Sequence, residues 1–580
     1  RWLVRTELAP RGLAARAAGE DWPAMRSYVL PATAARGPRR STGADPTGAG
    51  ARGASIASEW WPLLALTALA AVLRLTTLGA QSFWYDEAFT PVHVLHGSLG
   101  ATLHALVHTE NTPPLWYVLE WGVSRVLGTG AVALRLLSAL AGIATVPVAW
   151  AIGSELAARR AAIATAAFVA TSPLLVWYSQ EARAYGLFVL AASLALLCFL
   201  RAMRAPTKRR LMEFALAASM ALLTHYFAVF LVIPMMLWLL WAALGRGSDE
   251  QQKGMTRARA RVGPKEIAHS TDGEGAPRER TAIKENPARV LYALAPPVLV
   301  GAGLIPLILA QGGHGTQWIG EWALASRLEA IAQYYLTGYT GSALGHGVEL
   351  LLAVTILAGV VYGLWCTLAP REERGALIVM GVAAPGVLLP VLLALLGADY
   401  LAPRNLVAAM VPVSALLAVV IAAQRTGRAG MALAGLVALM FLALTIDVDL
   451  SPRLQRGDWG GVAKALGSGR ADRAITTVEL GAAPLEYYMP GLGNLARSSS
   501  VSVSEVVETG YVPLRKSAAS PPAPGFRLVE RRDIHGLVVY RFTSSTPVRI
   551  SEQVLREHVM TPPTVARPEV LVPTSSGKTT

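Results

Sequence analysis

The sequence predicts a polytopic α-helical membrane protein with about eleven transmembrane helices, a large outer loop after the first, and a small outer α/β domain at the C-terminus. Three observations predict it. Apolar residues make up 53% of the 580 and charged residues only 16%, and the mean hydropathy is +0.42, far above a soluble average. Apolar runs long enough to cross about 30 Å of hydrocarbon follow one another through most of the chain. Lys and Arg fall into alternate loops, as the positive-inside rule requires.

Residues 1–58 are rich in Arg, Ala, Gly and Pro and lack the apolar periodicity that would offset ordering entropy, so a disordered basic cytoplasmic tail is expected. The chain opens on Arg1 rather than Met, as a fragment or a misplaced start would, and the segment lacks the cleavage site of a secretory signal. The membrane domain is expected over 59–448, with spans near 60–79, 131–152, 161–178, 184–203, 211–224, 227–244, 290–310, 347–368, 375–397, 404–424 and 429–447. With the tail cytoplasmic, Arg159 and Arg160, the run from Arg201 to Arg210, the loop 245–289, Arg371 with Arg374, and Arg425 with Arg428 all fall inside. Arg183 and Arg404 then stand on the opposite face, where topology does not explain them.

The apolar stretch from Pro113 to Leu127 is short and carries Glu120 and Arg125; counted as a span it would invert every later loop. It is expected to lie on the outer surface as an interfacial helix, within one outer loop over 80–130. A second outer loop, 311–346, gathers Trp318, Trp322, Tyr334, Tyr335 and Tyr339, suited to stacking on rings or to an aromatic belt. Beyond the last span, 449–545 reads as a small extracytoplasmic domain with a helix near Asp458–Leu466 and strands at Ala474–Val478 and Leu537–Phe542. The Ser/Thr/Pro-rich remainder, 546–580, reads as a disordered tail.

Several function classes are set aside. The net charge of +14 is not gathered with groove-reading motifs, so no nucleic-acid partner is expected. Cys198 and Cys366 lie in apolar runs and make neither a disulfide framework nor a metal site. Walker, Rossmann and zinc-protease motifs are missing, so coupled-ATP transport has no support.

Chemistry centres on Asp86 and Glu87, two adjacent carboxylates among aromatics just after the first span. So placed, a carboxylate can take a proton from an acceptor or hold a divalent cation; a solvated acidic turn is the plain alternative. Arg183 and Arg404 are suited to bidentate phosphate binding, although Arg183 can instead pair with Glu181 or snorkel to headgroups. His104 and His108, four residues apart, are weak metal candidates without a third ligand of clear spacing.

Six segments, FWYDEAF, HTENTPPLWYVL, LRLLSALAG, WYSQEARAYGL, THYFA and DYLAPRNL, occur in that order between about 60 and 425. Together they resemble the bacterial GT-C glycosyltransferases related to protein O-mannosyltransferases and aminoarabinose transferases, the family 39-like group. The resemblance implies a GT-C fold and a sugar donor carried on a polyprenyl phosphate. It implies transfer to a hydroxyl or amine of a cell-envelope polysaccharide, lipid or protein. Carried onto this chain it makes Asp86 the acceptor-activating carboxylate with Glu87 its catalytic neighbour, holding the loop. Arg135, Glu181, Arg183, Tyr185, His225, Tyr226 and Arg404 become substrate-binding candidates, with Arg135 equally able to pair with an acid such as Glu120. No cofactor is certain, and a divalent cation is left open. The other readings are a lipid or sugar transporter, which should place charges mid-membrane in several spans, and a non-catalytic cell-envelope assembly protein of the same fold.

Overall fold

The computed structural model describes residues 48–260, 287–312, 317–339, 345–467, 472–511, 514, 519–561 and 567–574. Helix α1 (Gly48–Leu75) begins ten residues inside the stretch expected to be a disordered tail; the remainder of that stretch lies outside the described residues. Three short helices follow, α2 (Tyr85–Phe89), α3 (Leu99–Thr109) and α4 (Leu115–Leu127). The bundle continues through α5 (Ala131–Leu156), α6 (Arg159–Thr171), α7 (Pro173–Ser179), α8 (Tyr185–Arg204), α9 (Lys208–Thr224) and α10 (Val229–Ala260). It then runs through α11 (Pro287–Gln311), α12 (Gln317–Glu321), α13 (Leu324–Thr337), α14 (His346–Trp365), α15 (Pro370–Leu395), α16 (Met410–Ile421) and α17 (Gly427–Leu450).

Among the described residues eight helices are long and apolar enough to cross a membrane, or nine if the bent pair α6 and α7 counts as one span. The expected count of eleven is therefore not reached: 161–178 is divided between α6 and α7, 404–424 between the turn Pro403–Ala409 and α16, the apolar part of α1 is the shorter stretch Trp60–Leu75, and α9 has 17 residues. The loops expected at 245–289 and 311–346 are partly helical: α10 runs on to Ala260, and α12 and α13 occupy the second. Residues 261–286, 313–316 and 340–344 lie outside the described residues.

The 55° bend between α6 and α7 has a visible cause. Pro173 has no N–H, so the carbonyl of Val169, four residues earlier, loses its helical donor. Arg74 supplies it, Nη2 donating to Val169 O at 3.3 Å and Nη1 to Ala170 O at 3.1 Å. Thr445 donates to Thr171 O at 2.9 Å. A cation inside a span is thus consumed by backbone carbonyls. Gly142 lets α5 approach this corner, since a Cβ there would meet Ser179 Cβ at 2.5 Å.

The basic connections meet one another. Arg160 donates to Gln424 O at 3.1 Å, Arg371 to Ser154 O at 2.9 Å and Arg210 to Arg201 O at 3.2 Å, while Arg204 pairs with Glu155 at 3.3 Å.

After α17 come α18 (Trp459–Leu466), strand β1 (Arg473–Val478), α19 (Glu479–Tyr488), β2 (Leu492–Asn494), β3 (Ser500–Tyr511), β4 (Arg527–Ile534), β5 (Leu537–Ser551), α20 (Glu552–Glu557) and β6 (Pro568–Pro573). The sheet order is β2-β6-β1-β3-β5-β4, with β1 and β3 parallel and every other pair antiparallel. Trp459, Val462 and Leu485 pack with Ile475, Val507 and Leu571 on one face, and Leu555 and Met560 pack with Ala474, Val506 and Phe542 on the other.

The expected disordered tail at 546–580 is corrected here: β5 runs to Ser551, α20 follows, and β6 sits inside the sheet between β2 and β1. The reason is burial. Val570 and Leu571 are the two buried side chains of β6, and one goes to each face of the sheet, which a short central strand needs. Residues 562–566 and 575–580 lie outside the described residues.

Candidate functional site

The segment Gln81–Phe89 is held between the bundle and the C-terminal domain. Phe83 N–H donates to the Tyr488 hydroxyl at 2.8 Å, Ser82 Oγ donates to Asp458 Oδ1 at 2.5 Å, and Arg456 N–H donates to Gln81 Oε1 at 3.2 Å. Phe83 is fully buried and packs on the Tyr487 ring at 4.9 Å. Asp86 and Glu87 then sit in the first turn of α2, one residue apart on a helix, so they point in different directions.

Their surroundings differ accordingly. Glu87 is buried and accepts two bonds from Arg135, Nε to Oε1 and Nη2 to Oε2, both at 2.7 Å. It also accepts from Ala182 N–H at 2.9 Å and lies 3.3 Å from Arg456 Nη1. Burial would raise its carboxyl, but Arg135, Arg456 and these hydrogen bonds hold it below the usual carboxylate range. Arg135 further donates to Leu78 O and Gln81 O, both at 2.9 Å, so its acid partner is Glu87 rather than Glu120. Asp86 keeps some exposure and accepts from Arg404 Nη1 at 2.7 Å through Oδ2.

Three more expected residues join this cluster. Arg183 donates to the Asp86 carbonyl at 3.3 Å and forks onto Glu110 with two bonds of 2.9 Å, so its carboxylate partner is Glu110 rather than Glu181. Glu181 instead pairs with Arg456, Oε1 to Nη2 at 3.0 Å. Burial pushes the Glu181 carboxyl up to about 7 against the pull of Arg456, with Glu87 and Asp86 adding to the rise. Tyr185 stacks edge-on to Tyr178 at 4.9 Å and lies 5.9 Å from the His225 ring.

Among the described residues, two expected residues make no hydrogen bond to it, although Arg183 and Arg404 lie near enough for their charges to act on His225. His225 is buried, with its ring stacked on Phe188 at 4.6 Å and Nδ1 accepting from Phe227 N–H at 3.2 Å. Tyr226 donates to Gln311 Oε1 at 2.6 Å, at the end of α11.

His104 and His108 meet each other, rings 4.4 Å apart, with His108 Nδ1 2.8 Å from His104 O. Among the described residues no three His, Cys, Asp or Glu side chains gather as metal ligands. With a guanidinium already on Asp86, the residues present do not make a seat for a divalent cation.

Sequence reasoning did not single out Glu110 or Arg456. Glu110 lay within a quoted motif, and Arg456 was detectable as a cation just past the last span, on the face otherwise poor in positives. Its guanidinium lies 4.4 Å over the Trp177 ring, and Trp177 stacks on Tyr339 at 5.2 Å. Arg404 is placed by the turn Pro403–Ala409. That turn is fixed from α13, where Arg327 forks onto Asp399 at 2.5 and 2.7 Å and Tyr335 donates to Leu406 O at 2.7 Å.

Glu120, on the inward face of α4, is fully buried and neither carboxyl oxygen has a hydrogen-bond partner. Burial pushes it up to about 9 from an ordinary value near 4.5. The folded protein therefore binds this proton more tightly than the unfolded chain does, and stability falls as pH rises from about 4.5 to about 9. Glu120→Gln is expected to remove that slope and to stabilise the protein at pH 8 by on the order of a few kcal/mol. Thermal unfolding in lipid nanodiscs at pH 5 and pH 8 checks it; an unchanged pH dependence in the variant counts against it.

With this geometry in place, comparison with known proteins is informative. Residues 111–254 match the family model of dolichyl-phosphate-mannose-protein mannosyltransferases. Over this segment, about a quarter of its length, the chain is similar to that family. No curated protein sequence matches it.

Among solved structures, the oligosaccharyltransferase of Archaeoglobus fulgidus, in complex with Zn and sulfate, is 14% identical over 70% of this chain and 55% of its own, with a TM-score of 0.39. ArnT of Cupriavidus metallidurans bound to undecaprenyl phosphate is 15% identical over 82% of this chain and 97% of its own, at 0.34. The arabinofuranosyltransferase AftD from Mycobacteria is 14% identical over 89% and 40%, at 0.40. The chain spans a little over half the length of the oligosaccharyltransferase it matches. At such TM-scores none of these likenesses assigns a role to a residue.

Proposed function

We propose that the protein is a membrane glycosyltransferase that moves a sugar from a polyprenyl-phosphate donor to an acceptor on the extracytoplasmic face. One observation carries the reading: a partly exposed carboxylate, Asp86, and a partly exposed guanidinium, Arg404, lie 2.7 Å apart. That is the pair this chemistry needs. The acceptor oxygen or nitrogen attacks the anomeric carbon and gives its proton to Asp86. The bond from that carbon to the phosphate oxygen breaks, and the phosphate keeps the electron pair with Arg404 as counter-charge. Glu87, Arg135 and Arg456 hold the loop that carries Asp86, and Glu110 fixes Arg183 beside it.

The basic connections face the cytoplasm in this reading, with the 80–130 segment and the C-terminal domain outside. Transport is less well supported. Of the charges in spans that a pathway would use, Arg74 is bonded to backbone carbonyls and Glu213 pairs with Arg209 at 2.8 Å.

The test is transfer itself. Purified protein in lipid nanodiscs is incubated with polyprenyl phosphates carrying different radiolabelled sugars and with a cell-envelope acceptor fraction. One label is expected to move to the acceptor fraction with stoichiometric release of lipid phosphate; retention of every label on its lipid would sink the reading.

A further inference from the structure

The cluster holds four arginines and four carboxylates, and its pairs are not alike. Arg135 with Glu87, Arg183 with Glu110 and Arg456 with Glu181 are each joined to a carboxylate that is at most 5% exposed. Turning any of these arginines toward a ligand would strand a buried charge, a large penalty. Arg404 and Asp86 are the open pair, with 24% and 16% of their side chains exposed. Arg404 can therefore exchange its carboxylate for another anion at little cost, because Asp86 is left in contact with solvent rather than buried.

The same contact restrains Asp86. Oδ2 is the oxygen that the guanidinium engages, so an acceptor's hydroxyl or amine reaching for it has to share it with Arg404 or displace that side chain. Arg183 touches only the backbone carbonyl of Asp86, through Nη1 at 3.3 Å. With Arg404 turned to a phosphate, Oδ2 is left open to the acceptor's hydroxyl or amine.

We propose that the Asp86 and Arg404 pair is a latch opened by the donor: the lipid-linked phosphate takes Arg404, and Asp86 is released to accept the acceptor's proton. The inference rests on the glycosyltransferase reading and adds an order to it. The donor binds before the acceptor can react, and the base is masked while no donor is present. When the lipid phosphate departs, the latch closes again. Opening makes or breaks no covalent bond; one anionic partner of the guanidinium replaces another.

The experiment measures binding of a polyprenyl phosphate to the full chain in nanodiscs, without acceptor. Because Asp86 competes with the phosphate for Arg404, Asp86→Asn is expected to bind the lipid phosphate about threefold or more tightly than the unaltered protein. In an Arg404→Gln background the same substitution is expected to change nothing, since the competition is gone. Asp86→Ser is a second neutral variant should Asn disturb folding, which thermal unfolding in the same nanodiscs monitors.

Unchanged or weaker binding in both neutral variants would overturn the latch while leaving the glycosyltransferase reading in place. Equal, negligible binding by the unaltered protein and by Arg404→Gln would overturn that reading itself. An inorganic phosphate arm separates the two sources of the anion. Failure of phosphate to displace the lipid supports a lipid-linked donor, and full displacement assigns the seat to free phosphate and defeats the proposal.

Discussion

Asp86→Asn is expected to lower sugar transfer by about 10²–10⁴-fold while leaving the thermal unfolding of the protein nearly unchanged. Asn is the same size and keeps an oxygen for the Arg404 guanidinium, which now stands 2.7 Å from Asp86 Oδ2, so the packing of α2 has no reason to change. What disappears is the proton acceptor. The loss should fall on the rate at saturating donor, since donor binding is not weakened, and a radiolabel transfer assay with donor in excess reads it directly. Transfer within about threefold of the unaltered protein would remove Asp86 from the chemistry, as a non-catalytic assembly protein requires. Glu87→Gln makes an instructive contrast. Its carboxylate is buried among Arg135, Arg456 and Ala182 N–H, so its loss should reach the reaction through displacement of the loop rather than through proton transfer.

That contrast marks where sequence reading stops. Asp86 and Glu87 are neighbours of like charge, and nothing in FWYDEAF says which of them faces solvent. The answer depends on the 2.7 Å approach of Arg135 from α5 and on the docking of Tyr488 from the C-terminal domain, 405 residues away from Phe83. The spans were legible because hydrocarbon thickness imposes a length and a composition on each helix, and the positive-inside pattern ordered the loops. The expected gathering of Asp86, Arg183 and Arg404 was legible because arginines on a face poor in positives need a reason to be there.

Arg456 escaped notice because it follows the last span, in a segment read as the start of a separate domain. In fact that segment returns to the bundle and reaches Glu87 and Glu181. Strand β6 escaped because two buried side chains are too few to make a pattern, although a central place in the sheet gives them both faces to fill.

The largest stability effect is expected at Arg135. Its guanidinium is about 1% exposed and makes two bonds to Glu87, with further bonds to Leu78 O, Gln81 O and Ser82 O, while its face lies 4.9 Å over the Phe83 ring. Arg135→Ala would leave the Glu87 carboxylate buried with Arg456 at 3.3 Å and Ala182 N–H to answer it, and would free three carbonyls in the connection after α1. Removing one member of such a buried pair costs about 3–5 kcal/mol. Arg135→Lys keeps the charge but cannot supply the planar fork, so it should recover only part of that loss.

The double variant Glu87→Leu with Arg135→Met removes both charges and should be less destabilised than Arg135→Ala alone, because no uncompensated ion is left inside. Chemical unfolding in nanodiscs ranks the three. If Arg135→Ala cost less than about 1 kcal/mol, the pair would be an ordinary surface contact and not the anchor of the loop. The same series bears on activity, because Asp86 precedes Glu87 by one residue. Wherever Glu87 is released from Arg135, Asp86 moves with it, so under the proposed role of Asp86 transfer should fall in step with the loss of the anchor.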